Sequence, residues 1–372
     1  MTPMSDASGG RHLARIDAVR GFAALTVALM HIRLVNWVGM REYWTTHRFD
    51  LSISSALAYL SFPLIWGYIG VPIFFVISGY VIHRGSKNIE PGLVHGGRFL
   101  VRRIVRIYPT FIAAMLITWY CDSLARSNNV STQWLGDTSA LNASRNLAAL
   151  VGIVGTPFGS NLPLWTLAIE IQFYAVYPLA LIAWRWLGPE KMLLATLLLG
   201  VAGYLLLHRH GLSAFPLYYF SWWLGAYVAD KNGKRPSSRL PLFISVFLLL
   251  LGCGAFLARF DLATHNLWSI GFAILLWYML NANAESPNVR PEQARSSWVQ
   301  KALQKCGDFS YSLYAVHMPI VVLINFVLFD GLKKEGILLA VLPALAATLL
   351  VSYLVYRCVE VPSIRMLKRL PR

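Results

Sequence analysis

Long apolar runs dominate this sequence, and they restrict its fold more than any other feature does. Ten runs have about 17–22 residues, the length that an α-helix needs to cross a bilayer. They cover residues 19–38, 61–83, 106–121, 163–184, 191–207, 214–230, 241–258, 266–282, 309–329 and 337–356. The composition agrees, because 56% of the residues are hydrophobic and only 13% are charged. The sequence predicts an all-α integral membrane protein with about ten transmembrane helices, and it excludes a soluble enzyme or a disordered chain.

The basic residues indicate topology. Lys and Arg number 33 against 17 Asp and Glu, which gives a net charge of +16. With the N-terminus in the cytoplasm, 24 of these 33 residues fall in cytoplasmic segments, as the positive-inside rule expects. We therefore predict that both termini are cytoplasmic and that nucleic acid is not a partner. The predicted organisation is a cytoplasmic segment 1–18, a transmembrane domain 19–358 and a basic tail 359–372.

Two ionisable residues lie on one face of the first span. Arg20 and His31 are 11 residues apart, so on a helix they differ by about 20° in direction and by about 16 Å in height. This places Arg20 at the cytoplasmic boundary and His31 beyond the midplane. Ionisable groups at such positions usually serve function. The alternatives are an interfacial anchor for Arg20 and a structural interhelical hydrogen bond for His31.

The fourth span carries an acid at a depth similar to that of His31. Glu170 lies about 10 Å below the predicted outer boundary, so we predict that it partners His31, with a structural ion pair as the alternative. Trp165 and Tyr174 flank Glu170 and are candidates for acceptor contact or for structure. His317, which precedes Pro319 in the inner half of the ninth span, is a further candidate of the same kind.

A second group of candidates lies at the predicted cytoplasmic boundary. Arg102, Arg103 and Arg106 offer forked donors that match phosphate oxygens, although lipid headgroups would suit them equally well. The second span contains Ser78, Gly79 and Tyr80, where small residues permit close approach of a helix or of a ligand. Glu360 ends the tenth span, where an Arg of that face could pair with it. The four cysteines are scattered and indicate no metal site.

These motifs, taken in order, resemble those of the type-3 membrane acyltransferases. That family includes bacterial O-acetyltransferases of lipopolysaccharide and exopolysaccharide. The resemblance covers nearly the whole chain and rests on Asp17–Gly21 with His31, Phe74–Tyr80, Arg102–Pro109 and Leu164–Tyr174. One position departs from the family pattern, because Ile171 stands where the family has a second acid. Glu170 must therefore carry any acidic role.

The resemblance implies an acyl-CoA donor, usually acetyl-CoA, no bound cofactor, and a sugar hydroxyl as acceptor on the far side of a bacterial inner membrane. On this interpretation the donor's anionic end contacts Arg102, Arg103, Arg106 and Arg20, with Ser78, Gly79 and Tyr80 also at the donor site. His31 is then a general base or an acyl-accepting nucleophile, and Glu170 orients its ring. The alternatives from other classes are a transporter of a lipid-linked sugar or anion, and a membrane scaffold. The acceptor, the acyl length and the oligomeric state stay open.

Overall fold

The computed structural model describes residues 6–37, 45, 52–90, 92–128, 133–212, 214–231, 233, 236–282, 297–331 and 341–369. Within these ranges helices alternate with turns and loops, and no β-sheet is present. The predicted all-α membrane fold is confirmed. Positions 1–5 and 370–372, at the ends of the two predicted cytoplasmic segments, lie outside the described residues.

Fourteen α-helices are present in the described ranges. They are α1 (Asp6–Asn36), α2 (Ile53–Leu60), α3 (Gly70–Ser86), α4 (Leu93–Ser127), α5 (Ala140–Leu147), α6 (Leu164–Leu187), α7 (Pro189–Leu207), α8 (Ala214–Asp230), α9 (Leu240–Leu257), α10 (Asp261–Asn281), α11 (Trp298–Asp308), α12 (Ser310–Phe329), α13 (Val341–Val355) and α14 (Val361–Leu367). A 3-10 segment, Phe62–Ile69, precedes α3, and a π-helical turn, Tyr356–Glu360, joins α13 to α14.

Eight stretches of the described chain are long and apolar enough to cross a membrane, against the ten that we predicted. The two remaining runs are the helices α8 and α10. α8 has only 17 residues and is buried along most of its length, so few of its side chains would contact lipid. α10 has 21 residues but begins with polar groups that include Asp261, His265 and Asn266. Both runs are helical as predicted, and only their membrane crossing is left as a prediction.

The chain divides into two compact units. The first contains α1 up to Ala23, then α3, α6 from Gln172, and α7 to α11. Its core includes Val76, Phe220 and Leu276. Here α3 and α8 cross through two glycines that face each other's backbone, because Gly79 abuts the Trp222 carbonyl and Gly225 abuts the Val76 carbonyl. A Cβ at either position would overlap that carbonyl oxygen.

The second unit contains the rest of α1, α2, the 3-10 segment, α4 from Gly97, α5, the start of α6, and α12 to α14. In its core α1 packs on α12 through Ile32, Val35, Met318 and Val321. Gly67 of the 3-10 segment lies against the backbone of α1.

The loop before α6 is fixed by buried hydrogen bonds within the second unit. The Ser160 amide donates to Asp122 Oδ2 at 2.8 Å, and Asn161 Nδ2 donates to the Ala315 carbonyl at 2.9 Å. These bonds tie the loop to α4 and α12. They therefore set the start of α6, the helix that carries Trp165 and Glu170.

Candidate active site

The second unit brings two of the predicted site residues into direct contact. His317 Nε2 on α12 lies 3.1 Å from His31 Nδ1 on α1, and the ring centroids are 5.0 Å apart. The His317 side chain is completely buried, and His31 is partly buried. We had placed His31 beyond the midplane and His317 in the inner half. That depth estimate was wrong for the pair, because span ends read from hydropathy are uncertain by several residues, each worth about 1.5 Å.

The backbone around the pair determines where each ring carries its proton. His317 Nδ1 lies 2.8 Å from the Tyr314 carbonyl and 3.2 Å from the Leu313 carbonyl. A carbonyl only accepts, so Nδ1 donates and Nε2 of the neutral ring keeps its lone pair. His31 Nδ1 faces that lone pair and the Val27 carbonyl, which is 3.0 Å away. It therefore donates as well, and His31 Nε2 is left as the basic nitrogen.

Tyr314 connects this pair to the predicted acid. Its ring centroid is 5.7 Å from that of His317, and its hydroxyl is 2.9 Å from Thr166 Oγ1 on α6. Glu170 lies on the same helix as Thr166, one helical turn further along the chain. Among the described residues, the hydrogen-bond partners of the His31 ring are Val27 and His317. The structure therefore places His317 in the position that we had predicted for Glu170.

The predicted phosphate-binding arginines occupy one helix. Arg102, Arg103 and Arg106 lie on α4 and are all partly buried. Arg102 Nη1 donates to the Leu367 carbonyl at 3.2 Å, and Arg103 stacks over the Phe99 ring. Arg102 thus binds the last turn of α14. Donor binding by the three arginines stays a prediction.

Arg20 lies in the first unit, on the same continuous helix as His31. Its Nη1 is 3.7 Å from Asp17 Oδ1, an i,i+3 ion pair that is partly open to solvent. A pair of this kind contributes little to stability. A role for Arg20 in donor binding is likewise untested.

The second-span motif lies in the first unit together with Tyr174. Ser78 Oγ is 3.1 Å from the Tyr174 hydroxyl, and the Tyr80 hydroxyl accepts from Arg84. The α8 backbone fills the space beside Gly79. The structure therefore supports helix packing, the alternative interpretation of Gly79. Trp165 belongs to the second unit, where it packs on Ala149, Val151 and Ala168.

Sequence reasoning missed two residues of the His31 neighbourhood and misjudged one partner. Thr166 lies within the Leu164–Tyr174 motif and Tyr314 lies in the ninth predicted span, but a hydroxyl in a helix gives no signal comparable to that of a charge in lipid. The buried Glu360 carboxylate accepts from Ser312 Oγ at 2.6 Å, a partner that we did not predict. No cluster of three metal-ligating His, Cys, Asp or Glu side chains occurs in the described part of the chain.

A family model described as an acyltransferase domain matches residues 13–357, which is most of the chain and includes both histidines, Glu170 and the three arginines of α4. The chain belongs to this acyltransferase family. The predicted resemblance is confirmed, and with it a membrane protein of acyltransferase type. No solved structure matches this acyltransferase.

Curated relatives carry names from acyl-transfer chemistry. The chain is 26% identical to a protein of Komagataeibacter xylinus named as a membrane-bound transacylase, BcsY, over 79% of this chain and 75% of the relative. It is 27% identical to the peptidoglycan O-acetyltransferase OatA of Listeria monocytogenes, over 84% of this chain. The matched region is only 54% of OatA, so the chain spans about half the length of that relative.

Proposed function

We propose that this acyltransferase moves an acyl group, with acetyl as the simplest case, from acyl-CoA to a hydroxyl of a glycan. The name of the transacylase relative supports acyl transfer, and the name of the peptidoglycan O-acetyltransferase supports an oxygen acceptor on a glycan polymer. The arginines of α4 supply the cations that a polyanionic donor requires. In the predicted orientation, the donor binds from the cytoplasm and the acceptor lies on the opposite side of the bacterial inner membrane.

The observation that carries the proposal is the basic nitrogen of His31. Because Nδ1 donates to Val27 and His317, Nε2 is free to take the proton of the acceptor hydroxyl. The acceptor oxygen then attacks the thioester carbonyl, the carbon–sulfur bond breaks, and the imidazolium returns the proton to the leaving thiolate. His317 and the Val27 carbonyl both accept from the imidazolium and so stabilise it. The products are an ester and free coenzyme A.

The proposal is tested with purified full-length protein, acetyl-CoA and a crude glycan extract from the cell surface. The measurements are thiol release and ester formation. Replacement of His31 by Ala should lower both rates by about 100-fold or more, the usual contribution of a general base. The matched control is His265→Ala, since His265 is a buried helix histidine that lies in the first unit against Tyr218. It should keep most of the activity.

Binding of acetyl-CoA provides the second measurement. The His31→Ala protein should bind the donor as the wild type does, whereas joint replacement of Arg102 and Arg103 by Gln should weaken binding. Replacement of the exposed Arg239 by Gln is the matched control. Undiminished ester formation by His31→Ala would refute the assignment, and movement of a labelled glycan across vesicles without acylation would favour a transporter.

A further inference from the structure

Arg33 stands apart among the charged residues of the second unit. Its side chain is only 7% exposed, and within the described residues it is the one Lys or Arg in the buried class. Buried acids in the same unit have strong donors, as Asp122 does in the Ser160 amide and Glu360 does in Ser312. A buried charge is costly unless it is paired and hydrogen-bonded. The buried charge of Arg33 therefore requires a compensating partner.

The described residues give Arg33 only weak partners. Its Nε donates to Ser61 Oγ at 3.2 Å, and its guanidinium lies 5.5 Å from the centre of the Trp37 ring. No carboxylate of the described chain forms an ion pair with it. The Ser61 hydroxyl in turn donates to the Ala58 carbonyl at 2.8 Å, which fixes its oxygen as the acceptor for Nε. The guanidinium is thus hydrogen-bonded through Nε alone, and its two Nη groups have no acceptor among the described residues.

The segment that follows Ser61 contains a further donor without an acceptor, and this one is itself buried. Trp66 lies in the same 3-10 segment that follows Ser61, and its indole nitrogen is buried without a hydrogen-bond partner. The ligand that the Arg33 Nη groups lack must be an acceptor, and a negatively charged acceptor also compensates the cation. The planar pair of Nη groups matches the two oxygens of a carboxylate or a phosphate.

We propose that Arg33, oriented by Ser61 and Trp37, binds an oxyanion, a carboxylate or phosphate, carried by the acceptor. The oxyanion site follows from the contacts of Arg33, and only the choice of the acceptor as its carrier rests on the proposed function. Arg33 lies two residues after His31, about 3 Å further along the helix axis and about 200° around it. It therefore binds a part of the acceptor that is distant from the reacting hydroxyl. The expected acceptor class is an acidic glycan, and a phospholipid headgroup would offer the same chemistry.

The test uses full-length protein in a detergent without phosphate. Glucuronate and inorganic phosphate are the anionic probes, and glucose with chloride at equal ionic strength is the neutral reference. Each anion should raise the unfolding temperature of the wild type, because a ligand that binds only the folded state stabilises it. Arg33→Gln should remove this response, and Arg33→Lys, which keeps the charge without the fork, should reduce it. The control is Arg209→Gln, an exposed arginine in the 3-10 turn that follows α7, which should respond as the wild type does.

Stability without ligand separates binding from structure. Because Arg33 is buried with Ser61 as its one hydrogen-bond partner among the described residues, Arg33→Gln should unfold at the same temperature as the wild type or above it. A large loss of stability in both Arg33 variants, or an anion response that survives in Arg33→Gln, overturns the proposal. His31→Ala should keep the full anion response, so failure of the acyl-transfer hypothesis would be visible separately.

A second arm identifies the carrier. Protein in phosphatidylcholine nanodiscs is compared with protein in nanodiscs that also contain phosphatidylglycerol, with glucuronate binding and retained lipid as the readouts. Arg33-dependent glucuronate binding in both discs supports an acidic acceptor. Arg33-dependent retention of phosphatidylglycerol that abolishes glucuronate binding keeps the oxyanion site but overturns the acceptor as its carrier.

Discussion

For single residues, the main feature of this site is the direct contact between His31, the proposed base, and a second imidazole, His317. In hydrolases with a catalytic triad, a carboxylate holds the histidine and stabilises its charged form. Here His317 lies where that carboxylate would be, next to His31 Nδ1. The Tyr314 and Leu313 carbonyls keep the proton of His317 on its Nδ1. The direct partner of His31 therefore carries no charge while the site is at rest.

Loss of the His317 ring should slow the chemical step without affecting donor binding. A hydrogen bond to a charged group contributes about 1.5–3 kcal/mol, so His317→Leu should lower kcat by about 10- to 150-fold. The KM for acyl-CoA should stay unchanged. His317→Gln offers an amide oxygen to His31 Nδ1 and should recover part of the rate. Steady-state kinetics of purified protein measure this effect, and a kcat within threefold of the wild type for His317→Leu would contradict it.

The sequence identified both histidines but not their pairing. Depth along a span is predictable to within a few residues, and on that measure Glu170 matched His31 better than His317 did. Contact depends also on which helices are neighbours and on how each is rotated, and hydropathy contains neither. His31 and His317 are 286 residues apart, so only tertiary packing brings them together.

At the scale of helices, the crossing of α3 and α8 shows why a small residue in a motif has two meanings. Gly79 follows Ser78 in the second-span motif, and its missing side chain is needed for contact with the α8 backbone. Its neighbour Ser78 instead contacts the Tyr174 hydroxyl. The sequence predicted a close approach at this motif but could not say whether a helix or a ligand makes it.

Substitution of Gly79 should therefore destabilise the protein, while substitution of another glycine on the same helix should not. In Gly79→Ala the added methyl group would overlap the Trp222 carbonyl, and overpacking of this kind costs about 1–3 kcal/mol. Gly85 on the same helix has open space around it, so Gly85→Ala should be neutral or stabilising. Thermal unfolding in detergent compares the two, and equal unfolding temperatures would contradict the packing role.

At the scale of the whole molecule, the number of spans and the sidedness of the termini are separate questions. Eight and ten crossings both place the two termini on the same side of the membrane. The two counts differ in the segment between α8 and α9. With the predicted cytoplasmic N-terminus, this segment is cytoplasmic if α8 crosses and lies outside if α8 does not cross. The segment contains Lys231, Lys234, Arg235 and Arg239, so the positive-inside rule favours ten crossings.

Cysteine labelling of intact cells decides between the two counts. Ser238 is exposed at the start of α9, and Ser238→Cys should resist a membrane-impermeant maleimide in intact cells and react after lysis. The four native cysteines are free, so they are first replaced by Ala. Arg259→Cys, in the turn after α9, should react with the maleimide in intact cells. Labelling of Ser238→Cys in intact cells would support eight crossings.

The wide separation of the two histidines in the chain has a consequence for biosynthesis. During translation α1 is synthesised and inserted well before α12. His31 is therefore in the bilayer for some time without His317 as its hydrogen-bond partner. An isolated neutral ring tolerates this interval better than an isolated ion would. The contact between the two rings therefore forms only after α12 inserts, and a chain that terminates before His317 lacks it.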